Sequence, residues 1–259
     1  MIYEALRDAL RAERPVALAT MVEGPRPGAK LLVGPDVPAM GGLGDPDLDR
    51  VVARDALGEL AAGLTGMRHY GPHGEARQQD VAVFVESFAA PPRMVIFGAV
   101  DFTAALVKVA KVLGYRVTVC DARAVFATPH RFPHADEVVC DWHYRYLAEV
   151  GKDPGPRDAV CVLTHDPKFD VPAIVAALDT EVGYLGAMGS RRTHADRVER
   201  LRDAGVESVA LARLLAPIGL DLGARTPEET AVSICAEIIA LRTGRAAPSL
   251  KDREGPIHA

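Results

Sequence analysis

The chain has 259 residues, 49% of them apolar and 25% charged, which is enough apolar material for a buried core and too much for extensive disorder. Basic residues number 30 against 35 acidic ones, a net charge of −5 with both signs interspersed, so no basic face exists to displace counterions and nucleic acid is excluded as a partner. The length predicts two unequal domains.

The opening segment carries Glu4, Arg7, Asp8 and Arg11 among its apolar residues, which excludes a signal-peptide core, and no later apolar run reaches membrane-spanning length. A soluble, cytoplasmic protein with no membrane partner is expected. Cys120, Cys140, Cys161 and Cys235 lie inside apolar segments without the short spacings of zinc sites, so they read as buried thiols and no metal site is expected.

In chain order, a helix is expected over residues 2–11, then strands in VALATMV and AKLLV around the turn GPRPG. A second helix begins at Pro46 with Asp45 as its cap, because proline suits the first helical position. A strand near Thr65 to Tyr70 and another in DVAVFVESF complete a smaller, strand-rich α+β N-terminal domain over residues 1–91, ending at the chain-breaking doublet Pro91-Pro92.

Over residues 92–245 strands alternate with helices, which predicts the α/β class and a Rossmann-like doubly wound parallel sheet covered on both faces. RMVIFG, YRVTVCD, DEVVCD, AVCVLTH and VGYLGAM supply five strands. Phe102, Ala105, Leu106, Val109 and Leu113 mark the first helix, and others are expected near Trp142 to Val150, Lys168 to Leu178 and Ser190 to Ala204. Thr226-Pro227-Glu228-Glu229 forms a capping box that opens the last helix, with Ala231, Ile234, Cys235 and Ile238 on one face. Residues 246–259 have no periodicity and read as an extended or partly disordered tail.

Ligands of doubly wound sheets sit beyond the carboxyl ends of the strands, so the strand-end loops carry the candidate site. The first keeps only Gly98 of a dinucleotide fingerprint. Val100 supplies a side chain where pyrophosphate needs backbone, and Asp101 adds negative charge at the helix start. Asp121, 23 residues after Gly98, stands where a ribose-binding acid would, with Arg123 beside it. Asp121 reads equally as a turn or helix cap. At the fourth strand end His165, Asp166 and Lys168 group an imidazole, a carboxylate and an ammonium, and His165 is the candidate acid or base. At the fifth, Gly186 and Gly189 clear space before Ser190, Arg191 and Arg192. Arginines at a helix N-terminus oppose its dipole unless an anion is recruited, so this turn is read as a phosphate site. The loop from Ala216 to Arg225, with Pro217, Gly219 and Asp221, is too apolar to stand free and either covers the site or caps the sheet.

FGAVDFTAAL, VTVCDARAVFATPHRFPHADEV, LTHDPKFDVPA, YLGAMGSRRTHADR and APIGLDLGARTPEETAVSICAEIIA together closely resemble the XdhC/CoxI family from Arg93 to Arg242, and ATMVEGPRPGAKLLV resembles that family's first domain. The resemblance implies an accessory protein, a chaperone without turnover that binds molybdenum cofactor (molybdopterin) for a molybdenum hydroxylase such as xanthine dehydrogenase or CO dehydrogenase. It also implies an apo-enzyme client and a cysteine desulfurase as partners. The cofactor's phosphate then belongs at the turn from Gly189 to Arg192, and its pterin edge meets Asp121. Relatives carry a Gly-Gly-Cys segment, whereas the corresponding Ala39-Met40-Gly41-Gly42-Leu43-Gly44-Asp45 has no cysteine, so no thiolate contact to molybdenum arises there and sulfuration stays open.

Two other readings compete: an NAD(P)-dependent oxidoreductase using His165 as proton donor, and a non-catalytic Rossmann-like regulatory protein. The damaged glycine loop favours the chaperone. A homodimer is expected because the apolar N-terminal strands need a partner.

Overall fold

The computed structural model describes residues 2–150, 154–252 and 254. It divides into two compact units, Met1–Ala90 and Pro91–Ala259.

The first unit runs α1 (Ile2–Arg11), β1 (Val16–Glu23), β2 (Lys30–Gly34), β3 (Val37–Gly42), α2 (Pro46–Ala62), β4 (Gly66–Tyr70) and β5 (Val81–Phe88). Its antiparallel sheet has the order β3-β2-β1-β5-β4. The period-two alternation of β1 sends Ala17, Ala19 and Met21 against α2, and Val16 and Leu18 against α1. Asp45 caps α2 by accepting from the Asp47 and Leu48 N–H groups, with Pro46 in the first turn. β3 is a strand that periodicity did not reveal, because Pro38, Gly41 and Gly42 speak against one. It lies on the sheet edge, where proline's missing N–H is tolerated. Leu43, just after it, is buried in the core under α2, and its N–H bonds Asp49 Oδ1 at 2.6 Å.

The second unit runs β6 (Arg93–Phe97), α3 (Asp101–Val112), β7 (Arg116–Cys120), β8 (Glu137–Val139), α4 (His143–Val150), β9 (Ala159–Val162), α5 (Pro167–Leu178), β10 (Tyr184–Ala187), α6 (Arg191–Asp203), α7 (Ser208–Leu211), β11 (Leu214–Leu215) and α8 (Pro227–Arg242). All six strands are parallel, in the order β11-β10-β9-β6-β7-β8. Five were expected; the sixth, β11, is two residues long and too short to leave a pattern in sequence. The order reverses between β6 and β9, the dinucleotide-fold arrangement with its switch point there. α3 and α8 cover one face and α4, α5 and α6 the other. Thr226 and Glu229 close the capping box that opens α8.

Cys120, Cys161 and Cys235 are buried, whereas Cys140 is exposed, a correction that follows from its place just past a short edge strand. The tail forms a helical turn at Leu250–Asp252 where extended chain was expected; residues 253 and 255–259 of that expectation lie outside the described residues. Among the described residues no helix is long and apolar enough to cross a membrane.

Candidate functional site

The carboxyl ends of β6, β7, β9 and β10 bring most of the sequence-derived candidates to one edge. Gly98, just beyond β6, has φ +109, and a Cβ there would lie 2.8 Å from Thr164 Cγ2 and 3.0 Å from Thr164 N. Only glycine lets the β6–α3 turn approach the end of β9 this closely. The Thr103 hydroxyl holds the turn by donating to the Gly98 carbonyl. Gly98→Ala is expected to lose about 1–3 kcal/mol in urea unfolding through forced backbone strain. An unchanged midpoint would mean that the turn relaxes without cost.

Asp121 is 2% exposed and spends both oxygens within the protein. Oδ2 accepts from Ala99 N at 2.8 Å and Arg123 Nη2 at 2.7 Å; Oδ1 accepts from Arg123 N and Nε, both at 2.9 Å. Burial alone would push this carboxyl up, but the Arg123 guanidinium and the two N–H groups outweigh it and hold the group below the usual carboxylate range. Asp121 is therefore a brace joining β7 to the β6–α3 turn, with no oxygen left open for a ribose or a pterin edge. Arg123 lies over Phe126, 4.5 Å from the ring centroid, and within electrostatic reach of Asp166.

Beyond β9, His165, Asp166 and Lys168 are exposed, and Asp166 Oδ1 caps α5 by accepting from Lys168 N at 3.0 Å. His165 and Asp166 thus share a rim without forming a dyad. Deeper, Asp170 accepts from the Thr164 hydroxyl and, at 3.0 Å, from Arg197 Nη2, which also donates to the Met188 carbonyl at 2.8 Å. Asp170 and Arg197 are 3% and 2% exposed, and Arg197 Nη1, also sealed from solvent, finds no partner among the described residues. This ion pair ties the start of α5 to the Gly189 turn, and sequence reasoning missed it because arginine is ordinarily a surface residue. Ser190 caps α6 by accepting from Thr193 N at 3.1 Å, while Arg191 and Arg192 are exposed in its first turn without a carboxylate partner among the described residues.

Gly186 is buried and is not a ligand-facing clearance. A Cβ there would meet Ile218 Cγ1 at 2.5 Å, so the residue exists to seat the following loop. That loop caps the sheet: Ile218 N bonds the Ala187 carbonyl at 3.1 Å, Gly219 N bonds Glu237 Oε2 at 2.9 Å, and the Tyr184 hydroxyl bonds the same oxygen at 2.6 Å. Pro217 and Asp221 are not buried on it.

A second group unread in the sequence lies on the same edge. The Cys120 thiol donates to the Asp141 carbonyl at 3.4 Å, which lays residues 141–143 across the strand ends. His143 stacks on Phe97, with centroids 4.7 Å apart, and Phe169 lies 5.4 Å from His143 and 5.3 Å from Trp142. Neither ring nitrogen of His143 completes a hydrogen bond among the described residues, although the Phe169 backbone lies near enough to favour the protonated ring. Burial pushes the imidazole down to about 4, against the opposing pull of Asp121. A Cys-Asp-Trp-His stretch following a strand was the available signal, but only the fold sets it against Phe97 and Phe169.

Away from this edge, a cavity of about 250 Å³ lies at the amino ends of the strands, lined by Arg93, Arg116, Glu137 and Asp158. It joins none of the strand-end loops. Among the described residues no cluster of His, Cys, Asp and Glu could hold a metal ion.

The sequence model of the XdhC Rossmann domain matches residues 94–238, and that of the XdhC and CoxI family matches residues 9–71. The chain is 28% identical to the uncharacterized protein YqeB of Escherichia coli over 88% of its own length and 44% of that protein's. It is 30% identical to a Bacillus subtilis protein named as a probable xanthine dehydrogenase subunit, over 69% of this chain and 56% of that one. It is also 36% identical to the molybdenum cofactor insertion chaperone PaoD of E. coli over 32% of this chain and 26% of that one. The chain thus spans about half or less of these relatives. A Bacillus halodurans crystal structure described as a xanthine dehydrogenase superposes with a TM-score of 0.65 at 24% identity, over 96% of this chain and 69% of that one, and shows the same fold.

Proposed function

Because the chain belongs to the XdhC and CoxI family, we propose that it is an accessory protein that binds molybdenum cofactor and passes it to an apo molybdenum hydroxylase, with no turnover of its own. The observation that carries this reading is the cationic turn on the carboxyl edge. Arg191 and Arg192 stand without carboxylate partners among the described residues at the N-terminus of α6, above the buried Arg197 with its unspent Nη1. A phosphate bound by this turn gains the helix N–H groups, the dipole and charge-assisted bonds together. The names of the Bacillus subtilis and PaoD relatives point the same way.

Three features weigh against a nicotinamide enzyme. The Asp121 oxygens are committed to Arg123 and Ala99, which removes the ribose acceptor, and Val100 and Asp101 occupy the pyrophosphate turn. His165 is exposed and has no hydrogen-bonded carboxylate or carbonyl among the described residues to orient it as a general base. A cysteine desulfurase as sulfur donor, self-association as a homodimer and a cytoplasmic setting complete the proposal. The position after Gly41-Gly42 is the buried Leu43, so sulfur would have to reach the cofactor without a thiolate from that segment.

Titration of the purified protein with molybdenum cofactor tests the reading. The Arg191→Ala, Arg192→Ala double variant is expected to weaken binding on the order of tenfold or more, the loss of charge-assisted contacts to one phosphate. Equal binding by the variant would move the phosphate elsewhere, and absence of binding by the wild type would sink the proposal.

A further inference from the structure

Trp142 is the only tryptophan of the chain, and it stands at the edge where doubly wound sheets take ligands. The Lys168 ammonium lies over its ring, 4.9 Å from the centroid, and 5.5 Å from that of Phe169. Lys168 is exposed and sits in the first turn of α5, where a cation opposes the helix dipole. A cation–ring contact at an exposed site is weak, so the ammonium is a cover that moves at little cost.

One residue on, neither ring nitrogen of His143 completes a hydrogen bond among the described residues, with the Phe169 backbone near enough only to favour the protonated ring. Its stacking on Phe97 would be served as well by phenylalanine, which has no nitrogens to leave unpaired. An unpaired buried polar group destabilises the free protein, and a ligand edge that reaches it recovers that loss. A cation-capped tryptophan beside an imidazole with spare hydrogen-bonding capacity matches a flat, nitrogen-containing bicycle, which offers a ring face and a polar edge together.

We propose that the Trp142 face now covered by Lys168 seats the planar heterocycle of the ligand, with Lys168 displaced toward the ligand's anionic side and His143 hydrogen-bonded to the ring edge. This rests on the cofactor-binding reading above and divides the ligand into two parts, the ring at Trp142 and the phosphate at the α6 turn. Pterins and purines share the chemistry, and the experiment separates them.

Because the chain has a single tryptophan, its emission reports this seat alone. The full-length protein is titrated with a pterin monophosphate, with ADP and with inorganic pyrophosphate, correcting for absorbance, while ultrafiltration measures binding independently. Saturable quenching by the pterin phosphate, none by pyrophosphate, and a dissociation constant raised about tenfold in Trp142→Leu but largely restored in Trp142→Phe are expected from the loss of one stacking contact. His143→Phe is expected to melt at a higher temperature than the wild type and yet bind the pterin more weakly, a pairing that a packing role does not produce. Quenching by ADP in place of the pterin would keep the seat and assign it to a nucleotide. Binding by ultrafiltration with no quenching and no effect of Trp142→Leu would overturn the seat while leaving the cofactor reading intact. No binding of the pterin phosphate, ADP or molybdenum cofactor would overturn both.

Discussion

Arg197→Met is expected to destabilise the protein by about 3–5 kcal/mol in urea unfolding at neutral pH, the scale for breaking a buried ion pair on one side only. The loss exceeds that of a surface bridge because Asp170 stays behind, 3% exposed, with the Thr164 hydroxyl as its remaining support. The Met188 carbonyl loses its guanidinium donor at the same time. Burial already pushes the Asp170 carboxyl up against the pull of Thr164 and Arg197; without the cation the Thr164 hydroxyl is left as the main contact opposing it, and the carboxyl rises further. A carboxyl whose folded pKa is raised stabilises below its unfolded pKa, and that contribution disappears as pH rises through the folded value. The deficit of the variant should therefore shrink as the pH is lowered from neutral toward the ordinary carboxylate range. Adding Asp170→Asn should recover part of the loss, and full additivity of the two substitutions would show that the pair is not coupled.

Stability should also fall by about 2–3 kcal/mol as pH drops from 7 to 4 on account of His143 alone, on the scale of about 1.4 kcal/mol per pKa unit. The folded ring titrates near 4 against an ordinary imidazole value of 6.5. Between those values the unfolded chain takes up a proton that the folded chain refuses, so acid favours unfolding across that window and the effect saturates below it. The charges facing the ring are Asp121, which favours protonation, and Arg123, which opposes it. Asp121, itself held low, adds an acid loss of the same sign in a lower window, beginning below its unfolded value near 4. Chemical denaturation of wild type and His143→Phe at half-unit steps separates the two. The variant should lose the greater part of the slope between about pH 6.5 and 4.5, the remainder coming from His194, held low by burial, and His73, raised by Asp45, which act in opposite senses; an unchanged slope there would mean that water or a rearranged backbone satisfies the imidazole.

The alternation of apolar runs and helix caps carried most of the fold. Asp45-Pro46 and Thr226-Pro227-Glu228-Glu229 mark helix starts through local chemistry, so they survive without tertiary information. β3 and β11 failed for the opposite reason: a Pro- and Gly-containing edge and a two-residue strand exist only because a neighbouring strand offers its backbone. The edge that holds the candidate site was legible, since parallel strands fix where loops converge. Its internal bonds were not. Asp121 reads as an open acid until Arg123 is seen to close on it, and Asp170 meets Arg197, as Trp142 meets Lys168, only through the packing of neighbouring helices. Sequence spacing located the residues but gave no means of telling which charges were already spent on each other.

The parallel sheet ends in β8, three residues long, and β11, two residues long. A second chain aligning against either flank would find only a few backbone groups to pair with, too little to offset the freedom lost on association. This half of the molecule is thus closed to growth by strand addition, and repeated copies in a crowded solution would slide past one another here. Any stable association through it must be built from side chains on the helical faces.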